Sequence, residues 1–240
     1  MALRTQRFPS INQPNPFSPK DMSIFLTRIK SQWLPYFKQA AYVTGLPLQL
    51  LVAKSAVESS GNQKTSNNTY VGLMQIGKVT IADCLNYLQG KMYADGRKWI
   101  APAPVIAKAV PIIKKFFPAF SATGGTISKD AAFALAKSNT AAGAEFNVLM
   151  GAVYLQFLCQ NPKFIDGDVL RLDKVMAAYN TGPNYTFYKA PVADTSGLVK
   201  IIKGSGLSSG KKLETSRHIL KFCGIGGAFD LLFNNKFSLT

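Results

Sequence analysis

Apolar residues recur mainly at three- and four-residue spacing along this chain, which predicts a helix-dominated protein with little β structure. The segment SPKDMSIFLTRIKSQWLPYFKQAAYVTG offers Ser18 or Asp21 as caps and an apolar stripe through Ile24, Phe25 and Ile29. Pro35 is expected to interrupt that helix and Gly45 to stop it. Pro47 then opens PLQLLVAKSAVES, where Leu48, Leu51, Val52, Ser55 and Ala56 share one side. Glu58 falls at the margin of that stripe, in the last turn before Gly61. The polar run 59–70 reads as loop or short strand, and a helix resumes near Val79. Residues 90–130, rich in Pro, Lys and Phe, read as an insertion with some short helix. AEFNVLMGAVYLQFLCQN predicts a strongly apolar helix broken by Pro162, and VLRLDKVMAAYNTGPN another that stops at Asn180-Thr181-Gly182-Pro183. A Gly-, Ser- and Lys-rich loop at 203–212 leads into KLETSRHILKFCG, read as the last amphipathic helix. Residues 1–20 read as a flexible, basic, Pro-rich arm ahead of one domain over 21–240, and there is no internal repeat.

Composition adds a partner class. With 47% apolar residues in 240, the chain can bury a real core, and 11% aromatics exclude disorder. Lys and Arg number 28 against 12 Asp and Glu, a formal charge of +16. That skew predicts a polyanionic partner: nucleic acid, an anionic membrane or the acidic bacterial cell wall. Lys114, Lys115, Lys203, Lys211 and Lys212 are candidate contacts. No helix-turn-helix, zinc or RNA-binding signature is present, so nucleic acid is not the favoured partner. Cys84, Cys159 and Cys223 are far apart and odd in number, which matches neither a metal site nor a disulfide framework and predicts small buried side chains. His218 is the only histidine, leaving little for a His-based metal site or a Ser–His–Asp triad. We therefore expect no metal and no cofactor. IAPAPVIAKAVPIIKKFFPAF is broken by Pro and Lys and predicts no membrane span, and the basic N-terminus has no secretory apolar core.

The stretch AVESSGNQKTSNNTYVGLMQI carries the candidate chemistry. Glu58 is followed by no acid until Asp83. A carboxyl group ending a helix beside apolar side chains is poorly solvated, which favours its neutral form. A shift of about two units corresponds to ~2.7 kcal/mol and keeps a proton available for a leaving oxygen near neutral pH. Glycosidases that use two carboxylates need a partner acid. Residues 59–82 supply none.

Five groups of residues, in order, resemble the soluble lytic transglycosylase family of bacterial cell-wall lyases. They are Glu58-Ser59; Gly72-Leu73-Met74-Gln75-Ile76; Asn147 with Gly151, Tyr154 and Leu155; Ala177-Ala178-Tyr179-Asn180-Thr181-Gly182-Pro183; and Glu214-Thr215 with Arg217. The resemblance implies a mainly α, lysozyme-like α+β fold, a helical catalytic domain with a small loop and β-hairpin region and a substrate groove. It implies Glu58 as the sole general acid and then base, with Met74 and Gln75 lining the cleft and Gln75 bonding the substrate. Tyr179 would approach the acid, Asn180 would hold the N-acetyl group or neighbouring backbone, and Ser66 would contact substrate. The sugar would supply the missing nucleophile: its N-acetyl carbonyl assists departure, and its 6-hydroxyl closes a 1,6-anhydromuramoyl end. The chain departs from the pattern at Thr69-Tyr70, where the family has Gly-Ala, at a lengthened interval from Gln75 to Asn147, and at His218 in place of a common Tyr.

The partner so implied is the peptidoglycan glycan strand. A cell-wall lyase without an export signal is expected to travel with a machine: a bacteriophage virion component acting at the wall, or a secretion apparatus whose proteins the Pro-rich arm would dock. Two rival readings remain, a lysozyme-type hydrolase using a remote acid such as Asp83 or Asp95, and a non-enzymatic basic virion structural protein on the same fold.

Overall fold

Proline and glycine set the first boundaries. In the computed structural model, which describes residues 19–67, 69–94, 96–224, 226–233 and 237–239, α1 (Pro19–Arg28) and α2 (Leu34–Thr44) are joined by a π turn, Ile29–Trp33. The Leu34 N–H closes that turn on the Ile29 carbonyl, five residues back. Pro35 thus widens the helix locally instead of interrupting it. It lies in the first turn of α2, where a missing N–H costs little. Gly45 ends α2 with φ 71°, its N–H bonding the Ala41 carbonyl at 2.8 Å. The arm expected over residues 1–20 lies outside the described residues, apart from the two that open α1.

α3 (Leu48–Ser59) is buried at every position from Leu50 to Ala56, so it runs through a core instead of floating one face on it. A two-stranded hairpin follows, β1 (Tyr70–Val71) and β2 (Ile76–Gly77), then α4 (Lys78–Leu88). Residues 90–130 hold more structure than the short helix expected there. A second hairpin pairs β3 (Met92–Ala94) with β4 (Arg97–Trp99), and α5 (Ala103–Phe116) runs for 14 residues. Val105, Ala109, Ile112 and Ile113 form its buried stripe, while Pro111 sits on the exposed side. α6 (Lys129–Lys137) is capped by Ser128, and α7 (Ala141–Cys159) is apolar all round. Among the described residues α7 is the one helix with the length and composition to cross a membrane; 89% of its apolar window is buried inside the protein.

The chain divides into two compact units. One is Phe25–Phe157; the other comprises residues from Leu158 onward together with those before Phe25. In the second, a hairpin of β5 (Ile165–Asp166) and β6 (Val169–Leu170) precedes α8 (Leu172–Thr181), α9 (Thr195–Gly204), α10 (Ser209–Cys223) and α11 (Ala228–Phe233). α10, expected to be the last helix, is followed by α11. α8 packs chiefly on α10. A buried ionic network anchors its start: Arg171 grips Asp173 through Nε (3.1 Å) and Nη2 (2.8 Å) and reaches Asp166 through Nη1 (2.8 Å). Burial alone would lower the Arg171 pKa, but its bonds to Asp173 and Asp166 prevail and raise it. Helix makes up 65% of the structure and strand 7%, all in small two-stranded sheets; the fold is mainly α of the α+β kind.

Candidate functional site

Glu58 is the penultimate residue of α3, and its side chain is 13% exposed. One turn earlier on the same helix stands Lys54, whose side chain is 0% exposed. Lys54 Nζ lies 2.5 Å from Glu58 Oε1. A wholly buried ammonium requires a counter-charge, and the i,i+4 geometry of the helix delivers one. Burial of Glu58 favours a neutral carboxyl, whereas the ammonium beside it favours the carboxylate. The two influences oppose each other at this one group.

The end of α3 is clamped onto the turn between β1 and β2. Ser59 Oγ donates to the Leu73 carbonyl at 2.8 Å, while the Leu73 N–H donates to Gln63 Oε1 at 3.2 Å. Both backbone groups of Leu73 are therefore held. Gln63 is itself buried, its amide directed to the Ala136 and Ser138 carbonyls at 3.3 and 3.1 Å. From α7, Asn147 Oδ1 accepts the Met74 N–H at 2.9 Å and Asn147 Nδ2 donates to the Val71 carbonyl at 2.8 Å. This fit requires small residues. A Cβ on Gly72, which has φ 75°, would stand 2.3 Å from Asn147 Nδ2, and a Cβ on Gly151 would stand 2.5 Å from the Met74 Cβ. Gly72, Met74, Asn147 and Gly151, distant in sequence, are thus one interlocked joint.

Three of the substrate-site residues singled out from the sequence, Ser66, Met74 and Gln75, lie in the unit that holds Glu58. Met74 is wholly buried, packed on Gly151. Gln75 has φ 45°, a left-handed conformation at a non-glycine residue. Its Nε2 donates to the Thr65 and Gly72 carbonyls, both at 2.8 Å, so Oε1 is the atom left for a ligand. Ser66 is exposed and bridges Val71. Tyr179 and Asn180 belong to the other unit, at the end of α8. There Asn180 Nδ2 donates to Glu214 Oε1 and its Oδ1 accepts from Thr215 Oγ1, both at 2.7 Å, so the Tyr-Asn and Glu-Thr elements are tied together.

Other candidates take quieter places. Burial pushes the thiol of Cys84 well above its ordinary value, with Asp83 adding to the effect, and that of Cys159 up to about 12. Cys223 is buried as well, and His218 is buried on α10. Asp83, on α4, has its pKa raised by burial and partly restored by Lys129. Asp95 lies outside the described residues. Lys114 and Lys203 are exposed, while Lys115 pairs with Glu145 at 3.2 Å and Lys211 with Glu214 at 3.3 Å.

Lys54 and Gln63 are the site residues that sequence reasoning passed over. Lys54 left a readable signal in its four-residue spacing from Glu58. Gln63 left none, since its partners are backbone groups far along the chain. No protein-family model matches the chain, and the search of curated proteins finds no match.

Proposed function

We propose that the chain is a peptidoglycan lytic transglycosylase of the lysozyme-like kind, cleaving the β-1,4 bond between N-acetylmuramic acid and N-acetylglucosamine. What supports this reading is one arrangement: a largely buried glutamate ending a core helix, clamped beneath a turn built by the same residues that resemble the family. In its protonated form Glu58 donates a proton to the glycosidic oxygen as the bond to the muramoyl C1 breaks, and the carboxylate that results is the partner of Lys54 in the resting ion pair. The muramoyl 6-hydroxyl then forms a bond to C1 while Glu58 takes its proton, which returns the acid and yields the 1,6-anhydro end with no water consumed. Gln75 Oε1 accepts a hydrogen bond from the sugar. The positive charge concentrates the enzyme on the anionic wall, an attraction that weakens with salt.

The test is digestion of purified peptidoglycan followed by mass spectrometry of the products. Anhydromuramoyl ends are expected from the parent, and none from either Glu58→Gln or the double variant Lys54→Met/Glu58→Gln. Reducing ends would replace this reading by the hydrolase. Undiminished clearing by Glu58→Gln would remove Glu58 from the chemistry. Delivery by a bacteriophage particle, for local opening of the wall, is the accompanying proposal. It predicts the protein in purified virions by mass spectrometry; recovery from host cytosol alone would refute it.

A further inference from the structure

A concavity opens within the unit Phe25–Phe157, lined by neither Glu58 nor Gln75. Its volume is about 620 Å³, within the roughly 300–1,000 Å³ of small-molecule sites. The π turn forms one wall, the loop after α3 another and the start of α7 the third. Trp33, the last residue of the π turn, and Tyr36 both line it, with ring centroids 6.3 Å apart and planes at 33°. The Trp33 Nε1 is buried and has no hydrogen-bond partner among the described residues. A buried N–H left unbonded costs about 1–3 kcal/mol and calls for an explanation, and π turns are frequent at functional sites.

The remaining lining specifies the ligand. Arg28 and Lys64 stand on it, and among the described residues no carboxylate pairs with either. Arg28 spends one N–H on the Ser60 carbonyl at 2.9 Å, out of five that a guanidinium carries. Asn62, Asn139 and Gln32 add amides suited to hydroxyl and acetamido groups. Flat aromatic faces beside amides suit a sugar ring, and two cations without carboxylate partners suit an acid attached to it.

We propose that this cavity is a holding site for a carboxylate-bearing sugar, with the ring against Trp33 and Tyr36 and the carboxylate reaching Arg28 and Lys64. Resting on the transglycosylase reading, the sugar is the N-acetylmuramic acid of the glycan strand, which is gripped here at a point separate from the bond being cut. The probe is free N-acetylmuramic acid, which has no glycosidic bond and so reports binding independently of lysis. Titrated into the full-length protein labelled with ¹⁵N, it should move the Trp33 indole resonance, assigned by its loss in Trp33→Phe, and leave that of Trp99 in place. N-acetylglucosamine, which lacks the carboxylate, and lactate, which lacks the ring, should each bind at least about tenfold more weakly, a difference of ~1.4 kcal/mol. Lys64→Glu, at an exposed position, should weaken the sugar acid by a similar factor. A silent Trp33 indole, equal binding of either partial ligand, or unchanged affinity in Lys64→Glu overturns the proposal. Lysis without a Trp33 response removes the holding site and keeps the lyase; a Trp33 response without lysis does the reverse.

Discussion

Replacing Glu58 by Gln should cost stability as well as activity, because it strips a carboxylate from an ammonium that has no access to water. Lys54 is 0% exposed and lies 2.5 Å from Glu58 Oε1. Breaking a buried pair by removing one partner costs about 3–5 kcal/mol. Against a typical total of about 5–15 kcal/mol, this is a large share of the fold. Lys54→Met is expected to cost less, about 1–3 kcal/mol, because Glu58 at 13% exposure still reaches solvent. The double variant removes both charges and leaves an apolar filler of similar length, which a buried pair tolerates well. Its loss should therefore fall short of the sum of the single losses by about 2 kcal/mol or more. Urea titrations followed by the fluorescence of Trp33 and Trp99 measure all four corners of the cycle. A Glu58→Gln loss below about 1 kcal/mol, or single losses that simply add, would refute the coupling.

Gly72→Ala should destabilise by about 3 kcal/mol, since a left-handed residue gains a Cβ that displaces Asn147 from two buried backbone groups. Gly151→Ala meets the Met74 Cβ instead and should cost about 1–3 kcal/mol by overpacking; urea midpoints at the parent level for both would refute the joint. Asp83 has its folded pKa raised, mainly by burial, so its contribution to stability is intact below the unfolded carboxylate value and lost as pH climbs through the folded one. Asp83→Asn should consequently gain stability relative to the parent on going from pH 3 to pH 7, and a difference that does not change with pH in paired urea titrations would contradict this.

The helices that were legible had their limits written in single residues. Pro47 and Gly45 bound α3 and α2 as their chemistry dictates, and Gly182 caps α8. Pro35 misled because the local rule it obeys, a missing N–H, has two solutions: a break, or a wider turn that shifts the pitch before it. α5 was obscured for a related reason. Pro111 looks fatal to a helix until one knows that it faces solvent, which only the burial of Ile112 and Ile113 reveals. α9 carries Leu198, Val199, Ile201 and Ile202 between Gly197 and Gly204, a single short apolar run with a glycine on either side that hid it. At the candidate site, Glu58 and the Gly72–Gln75 turn were readable as residue types. What they touch was not. Ser59 to Leu73 and Asn147 to Val71 are long-range bonds to backbone groups, and no side-chain identity encodes a carbonyl's position.

The grip on Leu73 and Met74 divides the hairpin into a part that cannot change alone and a part that can. A Cβ at residue 72 would collide with Asn147 and one at residue 151 with the Met74 Cβ, so neither glycine can be enlarged without moving its neighbour. Thr69 and Tyr70 stand just outside the joint, both exposed, with their N–H groups turned onto Asn67 Oδ1 at 3.2 and 2.8 Å. New side chains there can reshape the rim of the hairpin while the fastening beneath it keeps its register, so the surface of this turn and its anchorage can be altered independently.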